Sequence, residues 1–570
     1  MKRLGLLAGL MLLAHPRAQE ATITHSDREG RGIVTARVLL SGGVQFGIGL
    51  GFARVELTNH DQHPHQVEVT TESWSRRVGV GSSRTLVLEP GTQRFFLPVH
   101  VPPTGARCQI AVDGDVRSVG VGYDRSVVPL VSDRSGTIAP GTAVIEAMPN
   151  PSGIAIAPLP LRSEDVPRDW RQLTAFPAVM VDGVTPLDGE RQEALRRYAF
   201  AGGVVIVAGA DRLPAGPLQE RMVRLDSGIA ASGHAGHGFG HLVAIPPLGQ
   251  DLGAMRARVA ALPPLDDALL PAAYDLFQEQ EIAGLGRAPV TVFVLVILLF
   301  AILVGPVNFL VLRRRRQPLL SLVTVPVLGF GTTLCILAYG ILHDGFGVRG
   351  VVTSCTVLDQ VRHEAATVSA RTLFAGLAPS DLAISKDSLL LSLRAASLSR
   401  SATDRWQWDG DRERLDGAVL PSRTVTPLVS LQQGTVRARL TVRRVGDELE
   451  VLPDGGIEPV GRIVLRDLDG DYWVGRSAGN AALQLNRVEA AVGEELFREL
   501  RERSRKVVLS TDVGPRDRQM PAVMSEWGAP GSYATAVRAA PWIDEHGLDV
   551  AYDASAHYVF GRMHSQDFVR

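Results

Sequence analysis

Residues 289–312 read PVTVFVLVILLFAILVGPVNFLVL and residues 317–342 read QPLLSLVTVPVLGFGTTLCILAYGIL, and neither run holds a charged side chain. Between them stand Arg313, Arg314, Arg315 and Arg316. An apolar stretch of about 20 residues crosses the hydrocarbon core of a bilayer as a helix. Lipid offers no hydrogen bonds, so the backbone must satisfy its own. Short loops rich in Arg stay on the cytoplasmic side. The two runs therefore predict a membrane hairpin with a cytoplasmic loop at 313–316 and both flanks outside. Gly305, Pro306 and Asn308 interrupt the first run. Pro306 removes one helical hydrogen bond and Asn308 offers an amide to the partner helix, so a kink and a packing contact are expected. A transport path through Asn308 is the competing reading. Two helices enclose no pore, and no Asp, Glu, Lys or Arg lies inside either run, which disfavours it.

The N-terminus, MKRLGLLAGLMLLAHPRAQEA, agrees with outward flanks. Lys2 and Arg3 precede an apolar stretch of signal-peptide length, so export with a signal peptide over 1–18 is expected. An uncleaved signal anchor is the alternative. A chain of 570 residues has room for about three or four folded units. The net charge of -1 lacks the basic excess that nucleic-acid binding requires. Cys108, Cys335 and Cys355 are far apart and form no CxxC pair, which excludes a zinc ribbon and a thioredoxin-type site. Cys335 lies in the second apolar run; Cys108 and Cys355 read as small buried hydrophobes, and a bond between them requires distant segments to meet.

Residues 22–135 hold short strand-like runs split by Gly, Pro, Asn and Asp: IVTARVLL, FARVELTN, HQVEVTTES, RTLVLEP, RFFLPVHV and RCQIAVDG. Such spacing predicts a β-sandwich. ARVELTNHDQHPHQVEV reads as a hairpin whose solvated loop carries His60, His63 and His65. The rhythm changes over 140–250. Ala178 to Asp182 and Val204 to Ala208 read as buried strands, and between them Leu187, Leu195 and Tyr198 recur at helical spacing until Gly202 and Gly203 end the helix. That is a βαβ unit, so an α/β domain with a partly parallel sheet is predicted. A linker follows over 251–288.

This βαβ stretch, DW…VMVDG…ERQEALRRYAFAGGVVIVAG, resembles the class I glutamine amidotransferase-like fold of exported bacterial proteins. Together with VGPVNFLVLRRRR and TVPVL, its order over about 140–360 is similar to a group of bacterial membrane proteins that place such a domain before a two-helix hairpin. That resemblance implies the bacterial cytoplasmic membrane, large regions facing the periplasm, and membrane-protein partners such as ABC-type transport systems. Amidotransferase chemistry needs a cysteine thiolate at a strand-to-helix elbow and a histidine beside it. Neither strand end in 178–211 carries Cys, and no GxSxG replaces it, so the fold is expected without the chemistry. Asp182 and Asp211 sit at the carboxyl ends of strands, the ligand edge of such a sheet, with loop capping as the competing role.

The stretch SGHAGHGFGH carries His234, His237 and His241. Imidazole is a common metal ligand, and residues four apart share a helix face. The glycines between them make a helix unfavourable and a tight hairpin turn before HLVAIPPL the better reading, so no metal or cofactor is assigned. Beyond the membrane hairpin, 350–570 is predicted β-rich, with an amphipathic helix near 489–506 burying Val492, Leu496 and Leu500. DLDGDYW misses calcium-loop spacing and reads as a hairpin turn. The expected whole is a multidomain α+β membrane protein. It comprises an N-terminal β-sandwich, an α/β amidotransferase-like domain, two transmembrane helices and a C-terminal β-rich domain. The expected function is a non-catalytic extracytoplasmic scaffold or accessory subunit, with a hydrolase or metal-dependent enzyme using the three histidines as the alternative.

Overall fold

A computed structural model describes residues 19–26, 32–41, 49–75, 78–101, 106–120, 125–149, 155–224, 234–262, 282, 290–315, 318–392, 403–409, 412–416, 419–477, 482–508 and 528–569. The expected signal peptide and Arg316 lie outside the described residues.

Two sheets form the N-terminal sandwich. One has the order Gln19–Ser26, Gly32–Ser41, Gly49–Asn59, Gly91–Val101, all antiparallel. The other is built on His65–Ser75, flanked by Val78–Leu88 and Ala106–Val112. Alternate residues turn inward, as the two-residue strand period requires: Val34, Ala36 and Val38 on one strand, Val67 and Val69 on another. The histidine loop is not a hairpin. Gly49–Asn59 and His65–Ser75 lie in different sheets, so 60–64 arches from one sheet to the other. Each strand buries its own apolar face, and alternation alone is the same for an arch and a hairpin. His65 and His63 pair with Asp61 at the surface.

The second sheet is completed from far along the chain. Thr403–Asp409 pairs in parallel with Val78–Leu88, followed by Arg412–Asp416 and Asp381–Ile384. Strands after the two long apolar runs thus extend a sheet begun before them.

The next unit is a sheet with the order Ala155–Leu161, Arg125–Val131, Ala178–Asp182, Val204–Ala208, Gly240–Ile245, His234–His237. All pairings are parallel except the last. It begins at Arg125, inside the expected sandwich range, and includes the helix Leu252–Ala260, inside the expected linker. Successive side chains go to opposite faces. Met180, Ile206 and Val243 meet Val144, Ile145, Met255 and Val259 of the helices Ile138–Ile145 and Leu252–Ala260. Val179, Val205 and Leu242 belong to the core shared with Leu195 and Tyr198 of the helix Gly189–Ala201. Asp188 caps that helix by accepting from the Arg191 amide, and Gly202, at φ 123°, ends it.

Two helices are long and apolar enough to cross a membrane: Phe293–Arg314 and Ser321–Tyr339. The first, at 22 residues, is about 33 Å long. Leu295, Leu298, Phe309, Leu322 and Phe330 are all exposed, the reverse of a core helix. The first helix passes through a π turn at Leu303–Val307 that contains Pro306, where the missing amide breaks the regular ladder. Asn308 Oδ1 accepts from Thr324 Oγ1 at 3.0 Å, the expected contact between helices. Arg313 and Arg314 form the last helical turn rather than a loop, with Arg315 as its cap.

The second helix runs to Asp344, and Val348–Asp359 starts at once within a 12-stranded sheet. The helix Ala490–Val508 packs on this sheet, but its buried stripe is Gly493, Phe497, Leu500 and Ser504. Val492, expected inside, is 47% exposed. Gly493 sets that rotation, because it lies directly against the Tyr472 ring and a Cβ there would sit 2.2 Å from it. DLDGDYW is the hairpin turn expected: Asp467 accepts from the Asp471 amide, and Gly470 has φ +94°. One apolar core runs from Ile23 through Tyr198 to Phe560, so sandwich, α/β unit and C-terminal sheet share an interior. Cys108 and Cys355 are both buried in it and unpaired.

Candidate functional site

Numbered along the chain, the parallel strands are ordered 2-1-3-4-5. From Arg125–Val131 the chain goes to one side and returns to the other, which opens a crevice at the carboxyl ends of Arg125–Val131 and Ala178–Asp182. Asp182 stands there and is 2% exposed. Arg134 donates to it from Nη2 at 2.8 Å and from Nε at 3.2 Å, and Ser132 Oγ donates at 3.0 Å. Ser132 is shared with Thr137 at 2.7 Å. Asp133 accepts from the amide and hydroxyl of Ser163, both at 2.8 Å. Gly183 is required beside this group, since a Cβ would lie 2.1 Å from the Gly209 carbonyl oxygen.

The carboxylate of Asp182 is thus committed to side chains of its own domain, and it ties the first loop to the third strand. Ser132 has no histidine among its hydrogen-bond partners. The residues following the five parallel strands are Ser132, Arg162, Gly183, Gly209 and Pro246. Cys108 and Cys355 lie in other sheets, where burial pushes their thiols up to about 11 and about 12. Neither supplies the thiolate that amidotransferase chemistry needs. Asp211 sits in the turn Ala210–Arg212 and is solvent-exposed, 4.0 Å from Arg212.

The glycine-rich stretch is a docked hairpin. His237 pairs with Gly240 and Gly236 with His241, around a turn in which Gly238 has φ +65°. A Cβ on Gly240 would lie 2.1 Å from the Gly203 carbonyl oxygen, so glycine lets the hairpin close on the end of the helix Gly189–Ala201. In this register His237 and His241 face opposite sides of the sheet. Both are buried. His234 opens the hairpin's first strand. The structure therefore does not bring His237 and His241 together as metal ligands. Among the described residues no group of three or more His, Cys, Asp or Glu is placed to hold a metal ion.

His237 has a different role. Arg221 Nε donates to its Nδ1 at 3.1 Å, and the Phe200 ring lies 5.0 Å away. Burial, with the charge of Arg196, pulls it down to about 3, so it is a neutral acceptor. Arg221 also faces Asp359 of the C-terminal sheet at 3.7 Å, where burial raises the carboxyl. Arg134 and Arg221 had no local signal in the sequence, because their partners Asp182, His237 and Asp359 lie 16 to 138 residues away.

No family model matches the chain, and no curated protein sequence does. Among solved structures it is similar to a glucanotransferase from Paenibacillus sp., at 9% identity and a TM-score of 0.14, over 29% of this chain and 26% of that one. It is also similar to a carbohydrate acetylesterase from Xanthomonas citri, at 9% identity and a TM-score of 0.19, over 69% of this chain and 96% of that one. A third is the alpha-2-macroglobulin of E. coli, at 10% identity and a TM-score of 0.14, over 80% and 40%. The chain thus spans about a quarter of the first of these. Likeness at such TM-scores carries no argument about fold or function.

Proposed function

We propose that this protein is a membrane-anchored, non-catalytic accessory subunit whose folded regions lie together outside the bacterial cytoplasmic membrane and serve a transport or envelope system. The observation that carries this reading is the pairing of Thr403–Asp409 with Val78–Leu88. Strands from before and after the hairpin share one sheet, so both flanks must lie on the same side of any bilayer the hairpin enters. The arginines at its tip favour the cytoplasm for the other side. Within the folded body, the 2-1-3-4-5 sheet supports an amidotransferase-like unit, and the Asp182–Arg134 clamp supports its use as a binding or packing module. Extraction in mild detergent, crosslinking and mass spectrometry test the reading. Stoichiometric recovery with membrane or ATPase subunits is expected. A protein that stays alone after crosslinking in cells, or single-cysteine labels that place 50–120 and 440–480 on opposite faces of the membrane, would overturn it.

A further inference from the structure

The second apolar helix passes into the C-terminal sheet almost without a break. Its uncharged run continues to Leu342 and the helix ends at Asp344. Gly345, at φ +75°, turns the chain, and the strand Val348–Asp359 starts after three residues. Those residues allow at most about 14 Å between Asp344 and Val348. They are also pinned. The Gly376 amide donates to the Gly347 carbonyl at 2.9 Å, and a Cβ on Gly376 would lie 2.8 Å from the Phe346 Cα. The passage toward the first apolar helix leaves the sheet at the same end. Ile282, eight residues before Val290, is buried against Phe374 and Val351.

Three strands end side by side here. Val348 pairs with Ala375 of Glu364–Ala375, and Phe374 of that strand pairs with Val425 of Val425–Thr435. The rim they form carries Phe346 and Leu377, each 60% exposed, and Val425 at 39%. Single apolar residues scattered over a surface need no explanation. These are gathered at one sheet end. Among the described residues outside 290–344, Phe346 is the only exposed aromatic ring and Leu377 the most exposed leucine. Arg423 stands on the same rim, exposed, with its amide 2.7 Å from the Ala375 carbonyl oxygen. Asp549 is exposed beside Val550, the residue that pairs with Val348 from the next strand, so the rim is too polar for hydrocarbon depth. Apolar side chains with charges among them suit the layer between acyl chains and lipid phosphates, roughly 5–7 Å thick on each side of a bilayer. A rim held this close to the end of a spanning helix faces the bilayer surface itself, which selects lipid as its occupant. We infer that this rim is seated in the headgroup layer, with Phe346 and Leu377 below the lipid phosphates and Arg423 beside them. The C-terminal sheet then stands on the membrane instead of hanging clear of it on a tether.

This inference rests on the reading of the hairpin as a membrane anchor, and its test separates the two. The full chain, with Cys335→Ala to remove the exposed native thiol, is placed in nanodiscs of phosphatidylethanolamine and phosphatidylglycerol. Nitroxide labels are attached singly at Phe346→Cys, Leu377→Cys, Phe330→Cys, Val116→Cys and Val445→Cys, all exposed positions. Their collisions with oxygen, which concentrates in lipid, and with a water-soluble nickel chelate are measured. Position 330 reports the hydrocarbon. Positions 116 and 445 report the body, the latter seven strands from Val348–Asp359 in the sheet order. The oxygen-to-nickel ratio at 346 and 377 is expected to lie severalfold above that at 116 and 445, and below that at 330. Body-like ratios at 346 and 377, with a hydrocarbon ratio at 330, would sink this inference and leave the anchor standing. Labels at 346 and 377 shielded from both reagents would mean that protein covers the rim, a second copy of this chain included, and would refute the lipid contact. A water-like ratio at 330 would overturn the anchor reading and this inference together.

Discussion

His237 and His557 are held neutral by where they sit. Burial, with the charge of Arg196, takes His237 to about 3, and burial, with the charge of Arg371, takes His557 to about 4. Ser354 Oγ lies 2.8 Å from His557 Nδ1, in a residue that is 7% exposed. Both shifts are depressions from 6.5, so the unfolded chain binds these protons first. The linked stability is whole above about pH 6.5 and is lost as pH falls toward 4 and 3. Between pH 7 and pH 5 the loss is about 2 kcal/mol for each histidine. Thermal unfolding should therefore come earlier at pH 5 than at pH 7, and the variant His237→Gln, His557→Gln should lose most of that difference. Equal wild-type midpoints at the two pH values would contradict it. The three histidines of 234–241 were conspicuous in the sequence. Their role was not legible there, because strand register, and not spacing along the chain, decides which face each ring occupies.

Elements were legible where local period and end signals agree. Leu195, Tyr198 and Gly202 mark the body and end of a helix, and Gly470 marks a turn, whereas Leu187, expected on the helical stripe, precedes the Asp188 cap. Packing rotated what periodicity alone could not place. In Ala490–Val508 the buried stripe moved by one residue, since Gly493 lets the helix approach the ring of Tyr472, and Phe497 meets that ring edge-on at 6.5 Å. Alanine favours a helix over glycine by about 1 kcal/mol. The clash of a Cβ 2.2 Å from a buried ring outweighs that gain, since overpacking costs about 1–3 kcal/mol. Gly493→Ala is thus expected to destabilise the contact and to speed amide exchange across 490–508. Unchanged or slower exchange would mean that the glycine serves no close approach.

The whole molecule is tied together by pairs that are distant in sequence. Arg171, 1% exposed, donates to Glu413 from both terminal nitrogens and to the carbonyls of Ser385 and Ser388 at 3.2 Å, with its guanidinium 4.5 Å from the Trp408 ring. Asp169 holds the same guanidinium from two residues away, so the long-range partners add to a local pair. A fragment of residues 19–262 lacks Glu413, the strand Thr403–Asp409 that covers the edge of Val78–Leu88, and the two strands beyond it. Its open sheet edge invites aggregation. Such a fragment should fail to give a monomer that melts cooperatively, and a well-behaved monomer in size exclusion and calorimetry would refute the shared-sheet architecture. The boundaries expected at 135, 251 and 350 reflect the same limit, since composition changes mark segments and not the sheets those segments join.

The sequence by itself determined the local chemistry of this protein. It set two uncharged apolar runs that only lipid or a core accommodates, strands with one apolar face, helix caps, glycine turns and the absence of a thiol at the strand ends of the α/β unit. These follow from the covalent backbone and from residues within a few positions of one another. Only the tertiary structure decided which strands share a sheet, that His237 and His241 part company, and that Asp182 is clamped by Arg134. Apolar faces are interchangeable and charges act through space. The partner of each is therefore chosen by the packing of the whole chain, with no trace in its neighbours along the sequence.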